Sequence, residues 1–92
     1  MKYCSYKIGV IVEIMDSNDG RYKLITIGKD PNDFYTFTRL VISDQTLIVN
    51  NEYNEITVDD LNLGNFVVAY HSNVMTMSIP PQTSAYIIEV KN

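Results

Sequence analysis

The chain is built from short runs of β-branched and aromatic residues that are separated by polar turns. Apolar residues recur at every second position in most of these runs, which is the period of a strand with one buried face. No stretch of useful length has the 3.6-residue period of an amphipathic helix. The predicted strands are residues 6–15, 21–28, 34–42, 46–49, 65–71 and 85–90. Short strands at this spacing predict an all-β fold, a small five- to six-stranded barrel that is closed or partly open.

One helical turn is predicted just before Gly64. Thr57 or Asp59 can cap its N-terminus, and Gly64 can end it in the left-handed conformation that glycine tolerates. Because a single turn is not stable alone, Leu61 and Leu63 are expected to pack into the open end of the barrel. Among small barrels, this arrangement favours one that is OB-like, of the kind that binds oligonucleotides or oligosaccharides.

The length fits one domain, residues 1–92, and the composition limits its partners. The net charge is −4, and residues 40–90 contain neither lysine nor arginine. Nucleic acid is therefore disfavoured as a partner, because phosphate backbones require clustered cations. No apolar run approaches the roughly 20 residues that span a bilayer. The first seven residues lack the apolar core of a secretory signal, so the cytoplasm is the expected location unless a leader was removed.

Reactive side chains are few. With one cysteine, Cys4, no intrachain disulfide can form, and nothing in the sequence places His71, the single histidine, beside it as a base. The acidic turn at residues 16–20 is not an EF-hand, because positions six and twelve of such a loop are Arg21 and Ile27 here. No phosphate-binding glycine loop or nucleophile elbow occurs. The sequence therefore predicts a non-enzymatic domain with no catalytic residue, no metal site and no cofactor.

The uncharged segment Met75–Gln82 departs from the strand pattern. Its proline pair lacks N–H donors and favours an extended conformation in the residue before it, so Ile79–Pro81 is predicted as polyproline II. In one interpretation the segment is a rigid connection whose Met75, Met77 and Ile79 pack on the core. In a second it is an exposed loop that binds another protein, since methionine side chains adapt to partners. A protease-inhibitor loop is a third, although no disulfide could support it.

Two functions follow from these features. The favoured one is an interaction module that binds another protein through the loop, with contact residues Met75, Met77, Ile79, Pro80, Pro81 and Gln82. The alternative is a barrel that binds a small ligand, a sugar or a nucleobase, on some of its seven tyrosines. Candidate ligand-binding residues for that alternative are Tyr70, His71 and Tyr86. The oligomeric state is not indicated by the sequence.

Two stretches resemble a known group of domains. Residues 59–70, DDLNLGNFVVAY, are similar to the D-L-x-x-G-D-x-V-x-A segment of small β-barrel domains common in Gram-positive bacteria. Residues 75–85 resemble the M-T-R-S-I-P-P-Q-x-x-A signature that follows it in one group of them. The resemblance implies a β-barrel without an assigned enzymatic activity. The arginine of that signature is Met77 here, and the aspartate of the first segment is Asn65, so charged contacts made by those residues in relatives would be missing.

Overall fold

The computed structural model of this protein describes residues 5–92, which contain seven strands and two single turns of 3₁₀ helix. The strands are β1 Ser5–Asp16, β2 Lys23–Gly28, β3 Phe37–Ile42, β4 Leu47–Val49, β5 Glu55–Ile56, β6 Phe66–His71 and β7 Gln82–Val90. The 3₁₀ turns are Phe34–Thr36 and Val58–Asp60. No helix among the described residues is long and apolar enough to cross a membrane.

Five of the strands form a closed barrel, in the order β3, β2, β1, β6, β7, with β7 returning to β3. All neighbours are antiparallel except β3 and β7, which run parallel and pair residues 39–41 with residues 82–84. The prediction of a small all-β barrel is therefore confirmed. The short strand β4 pairs parallel to the later part of β7, and β5 pairs with β4. These two strands add to the barrel without belonging to its wall.

The core is made by the inward faces of the barrel strands. In β3 and β6 burial alternates with a period of two. In β2, Ile25 and Ile27 are both buried as their spacing predicts, and Thr26 and Gly28 are buried as well. Each barrel strand contributes completely or almost completely buried side chains. The most buried apolar residues are Ile11, Ile25, Ile27, Leu40, Val67, Ala69 and Ile88.

Two β-bulges change which residues point inward along β1 and β7. The register of β1 with β2 shifts between Ile11 and Glu13, and that of β7 with β6 shifts at Tyr86. A bulge inserts one extra residue opposite a single partner and so alters the alternation. The alternation predicts Tyr86 and Ile88 on one face of β7. Instead, Ile88 is buried and Tyr86 is exposed, because Tyr86 is the extra residue.

The predicted helical turn is present as the 3₁₀ turn Val58–Asp60. The Asp60 carboxylate accepts a hydrogen bond from the backbone N–H of Thr57 at 2.9 Å, which fixes the start of the turn. Leu61 follows the turn and is only 5% exposed, as predicted. The prediction for Leu63 is wrong, since it is 66% exposed. The reason is that the backbone N–H of Gly64 donates to the Ile11 carbonyl at 2.8 Å, which leaves Leu63 outside.

The second 3₁₀ turn, Phe34–Thr36, occupies the predicted start of the third strand. Asp33 caps this turn, because its carboxylate accepts a hydrogen bond from the Tyr35 backbone N–H at 3.1 Å. The strand therefore begins three residues later than predicted, at Phe37. The consequence is that two neighbouring aromatic side chains, Phe34 and Tyr35, lie on the surface instead of in the sheet.

Candidate functional site

The loop Met75–Gln82 is anchored where β6 ends and β7 begins. The backbone N–H of Ser72 donates to the Ser84 carbonyl at 2.9 Å, and the Thr83 hydroxyl lies 2.7 Å from the Val74 carbonyl. At the other end, the Pro81 carbonyl accepts a hydrogen bond from the Arg39 backbone N–H at 2.8 Å. The loop is therefore held at both ends, next to the parallel seam that closes the barrel.

A chain of hydrogen bonds closes the loop on itself. The backbone N–H of Thr76 donates to the Gln82 carbonyl, and the backbone N–H of Gln82 donates to the Thr76 hydroxyl, both at 2.9 Å. The Thr76 and Ser78 hydroxyls are bonded to each other, and the Ser78 hydroxyl donates to the Pro80 carbonyl at 2.9 Å. Because a backbone N–H only donates, a carbonyl only accepts and each hydroxyl has one proton, Thr76 must donate to Ser78.

This closed conformation replaces the polyproline II run predicted for Ile79–Pro81. The Ile79–Pro80 peptide bond is cis, and the chain turns back so that Gln82 reaches Thr76. Polyproline II has no internal hydrogen bonds, whereas here the polar atoms of the loop bond to one another. The loop is thus ordered by its own hydroxyl groups.

Two apolar side chains of the loop, Met77 and Ile79, point into solvent. Met77 is 100% exposed and Ile79 is 69% exposed, and Val74, just before the loop, is also exposed. Met75 is half-buried, as are the two prolines and Gln82. The interpretation in which Met77 and Ile79 pack on the core is therefore wrong. The Thr76 and Ser78 hydroxyls bond within the loop, and the Met77 and Ile79 side chains face solvent without such contacts.

A shallow cavity of 270 Å³ lies at the foot of the loop. Its walls combine the outward surface of β3 with both ends of the loop. The lining residues include Val41, Ser72, Val74, Met75, Thr76 and Gln82. Val74 was not among the predicted contact residues, although it belongs to the same uncharged segment and the sequence could have included it.

The candidate ligand-binding residues Tyr70, His71 and Tyr86 do not share one surface. Tyr70 is half-buried on the outward side of β6, and Tyr86 is exposed at the bulge of β7. His71 is only 1% exposed, and its Nδ1 lies 2.8 Å from the Ser72 carbonyl oxygen. Its Nε2 has no hydrogen-bond partner among residues 5–92. The His71 side chain is therefore buried, and by the alternation along β6 it lies on the opposite face of that strand from Tyr70.

The structure pairs Tyr70 with a different tyrosine. Tyr6 is opposite Tyr70 in the β1–β6 ladder, and their ring centroids are 6.0 Å apart with a 43° angle between the rings. Sequence reasoning missed this pair, because the register between two strands far apart in the chain is not visible in the sequence. Tyr6 and Tyr70 are the aromatic surface that the alternative function would use.

The predicted turn after β1 is held by its own polar groups. The Asp19 carboxylate accepts hydrogen bonds from the Arg21 backbone N–H at 3.1 Å and the Ser17 hydroxyl at 2.8 Å, which together lower the pKa of Asp19. Beside the turn, the Asp16 carboxylate lies 2.7 Å from the Lys23 ammonium and raises the pKa of Lys23. Within residues 5–92, no three His, Cys, Asp or Glu side chains are grouped as metal ligands are. Cys4 lies outside the described residues.

No protein-family model, curated protein or solved structure matches this chain. What is established is its architecture, a closed five-stranded β-barrel with two added strands. A loop closed by its own hydrogen bonds lies next to the parallel pairing of β3 with β7. The resemblance of residues 59–70 and 75–85 to the Gram-positive β-barrel domains stays a prediction.

Proposed function

We propose that this protein is a non-enzymatic interaction module that binds another protein through the loop Met75–Gln82. The observation that supports this most is the loop itself, in which Thr76 and Ser78 bond within the loop while Met77 and Ile79 face solvent. Scattered exposed apolar residues are ordinary, but apolar side chains held together on a hydrogen-bonded support form a contact surface. Methionine adapts its shape to a partner, and a loop ordered before binding loses little entropy on binding.

The charges near the loop favour a protein over a nucleic acid. The loop itself carries no charge, and the chain has no lysine or arginine from residue 40 to residue 90. A phosphate backbone would find few cations there. An apolar protein surface would instead bury Met77 and Ile79, which favours a partner that presents an apolar pocket or groove.

We also propose that the barrel is OB-like. The support is the strand order, together with the parallel pairing of β3 with β7 that closes the barrel. Counting only the five barrel strands, β6 and β7 are the fourth and fifth, so Met75–Gln82 belongs to the loop between them. In OB folds the loop between strands four and five takes part in ligand binding. This correspondence supports the choice of the loop as the binding element.

The test compares the wild type with one double variant and one single variant in a pull-down from a lysate of the source organism. Met77→Ser combined with Ile79→Ser removes the exposed apolar groups without touching the hydroxyl chain. Leu63→Ser is the matched control, because Leu63 is about as exposed as Ile79 but lies outside the loop. We expect a partner that is retained by the wild type and by the control and lost by the double variant. Retention by all three proteins would contradict the proposal.

The tyrosine pair supports a second candidate, a barrel that binds a sugar or a nucleobase. Tyr6 and Tyr70 lie side by side on the outward face of β1 and β6, and Tyr6 is exposed. Aromatic faces of this kind stack on sugars and bases. NMR titration with oligosaccharides and short oligonucleotides decides between the candidates. Ring resonances of Tyr6 and Tyr70 that stay unchanged throughout would exclude this second function.

A further inference from the structure

An open groove of 680 Å³ lies at one end of the barrel, and sequence reasoning did not identify it. It is surrounded by the start of β1, where Tyr6 also lines it, the end of β2, the segment between β2 and β3, the first residues of β3, and Pro81 at the end of the loop Met75–Gln82. Its lining residues include Lys7, Ile27, Lys29, Tyr35, Phe37 and Thr38. The volume is within the range of about 300–1,000 Å³ that small-molecule sites occupy.

Two lysines give this groove a positive charge in an acidic protein. Lys7 and Lys29 both line it, and no aspartate or glutamate of the described residues does. Within residues 5–92, the ion pairs shorter than 4.0 Å are Lys23–Asp16, Arg39–Glu13 and Lys91–Glu89. Lys7 and Lys29 therefore have no carboxylate partner among the described residues. Two lysines at one groove can bind an anionic group as charged hydrogen-bond donors.

Aromatic rings complete the groove. Tyr35 is exposed and stacks on Phe34 with ring centroids 4.4 Å apart and an angle of 27°. The turn beneath it is fixed, because the Thr36 hydroxyl donates to the Asp33 carbonyl at 2.7 Å. Phe37 covers Gly28 so closely that a Cβ placed on Gly28 would lie 2.5 Å from its ring. The groove therefore combines an ordered aromatic surface with two cations.

We propose that this groove binds a small ligand in which an anionic group is joined to a flat ring, the chemistry of a nucleoside monophosphate. The phosphate lies at Lys7 and Lys29, and the base stacks on Tyr35. Stacking on an aromatic side chain tolerates any base. The groove therefore selects for a phosphate joined to a base, and not for the identity of that base. A single phosphate needs only a local pair of cations, which the acidic balance of the whole chain does not prevent.

The test is an NMR titration of the full chain with adenosine 5′-monophosphate, with adenosine, ribose 5-phosphate and inorganic phosphate in separate titrations. We expect the nucleotide to shift the amide resonances of Lys7, Lys29 and Tyr35 in a saturable way. We expect adenosine and each of the two phosphates to bind at least about tenfold more weakly. The double variant Lys7→Met with Lys29→Met should weaken nucleotide binding by about tenfold or more, and Tyr35→Ala should also weaken it.

Lys91→Met is the matched control, because Lys91 does not line the groove. Its nucleotide affinity should equal that of the wild type. Three results would overturn the proposal: no saturable shift with the nucleotide, equal affinity in the double lysine variant, or ribose 5-phosphate binding as tightly as the nucleotide. The Met77→Ser and Ile79→Ser double variant should bind the nucleotide normally, so that loss of protein binding and loss of ligand binding are separate outcomes.

Discussion

At the residue scale, Gly9 is a position where two strand backbones approach each other closely. A Cβ placed there would lie 2.8 Å from the carbonyl carbon and oxygen of Gly28 on the neighbouring strand. Both atoms belong to the backbone, so they cannot move aside as the end of a flexible side chain can. A glycine inside a strand pattern is typical of such a close approach, but the sequence does not reveal which backbone lies opposite.

Gly9→Ala is therefore expected to destabilise the fold. Forcing an extra carbon into a packed site costs about 1–3 kcal/mol, since the two strands must separate locally. The measurement is the free energy of unfolding in urea. Gly20→Asn is the control, because a Cβ at Gly20 meets no atom within 4 Å and asparagine tolerates its positive φ of 73°. Equal stability of the two variants would show that β1 and β2 do not approach this closely.

At the element scale, the loop Met75–Gln82 is closed by hydrogen bonds of its own hydroxyl groups. The Thr76 hydroxyl is both the acceptor for the Gln82 backbone N–H and the donor to Ser78. Its removal leaves the Gln82 N–H without that acceptor and releases the Ser78 hydroxyl. The remaining bond across the loop is the one from the Thr76 backbone N–H to the Gln82 carbonyl.

Thr76→Val is expected to loosen the loop while the barrel stays intact. Losing a hydrogen bond of this kind costs about 1 kcal/mol, and the change is local because the loop ends stay anchored. Amide hydrogen exchange of Gln82 should become faster, and exchange in β2 should be unchanged. Thr76→Ser keeps the hydroxyl and should behave like the wild type. If valine and serine variants exchange alike, the hydroxyl chain does not order the loop.

The strands themselves were largely predictable, and the irregularities were not. Alternation and turn residues are local, so Ile25 and Ile27 identify a buried face without knowledge of the partner strands. The bulge at Tyr86 depends on how β7 pairs with β6, which is decided between distant segments. The outward direction of Met77 depends in the same way on Gln82 returning to Thr76. The groove of Lys7 and Lys29 requires segments that only the closed barrel brings together.

At the scale of the whole molecule, the long connection from β3 to β6 contributes two side chains to the core cluster, Ile48 and Leu61. It contains β4, β5 and the 3₁₀ turn, and from the end of that turn Leu61 packs into the core cluster. Leu63, two residues further, is exposed. These two leucines share a local sequence context and differ in burial, which makes them a matched pair for measuring what the connection adds to stability.

Leu61→Ala is expected to lower the free energy of unfolding by about 2–5 kcal/mol, because it leaves a cavity in the packed core. Leu63→Ala should change it by less than about 0.5 kcal/mol, as surface substitutions usually do. Thermal or urea unfolding followed by circular dichroism measures both. Similar losses in the two variants would contradict the burial of Leu61, and no loss in either would mean that Leu61 does not stabilise the barrel.

The strand β7 pairs with β6, β3 and β4, and these three pairings have a consequence for how the chain is made. Before the ribosome has synthesised β7, the strands β1, β2, β3 and β6 can form a sheet, but its two outer strands, β3 and β6, each lack a neighbour. Unpaired edges are the places where nascent chains associate with one another. The interval before β7 emerges is therefore when this protein most needs protection from aggregation.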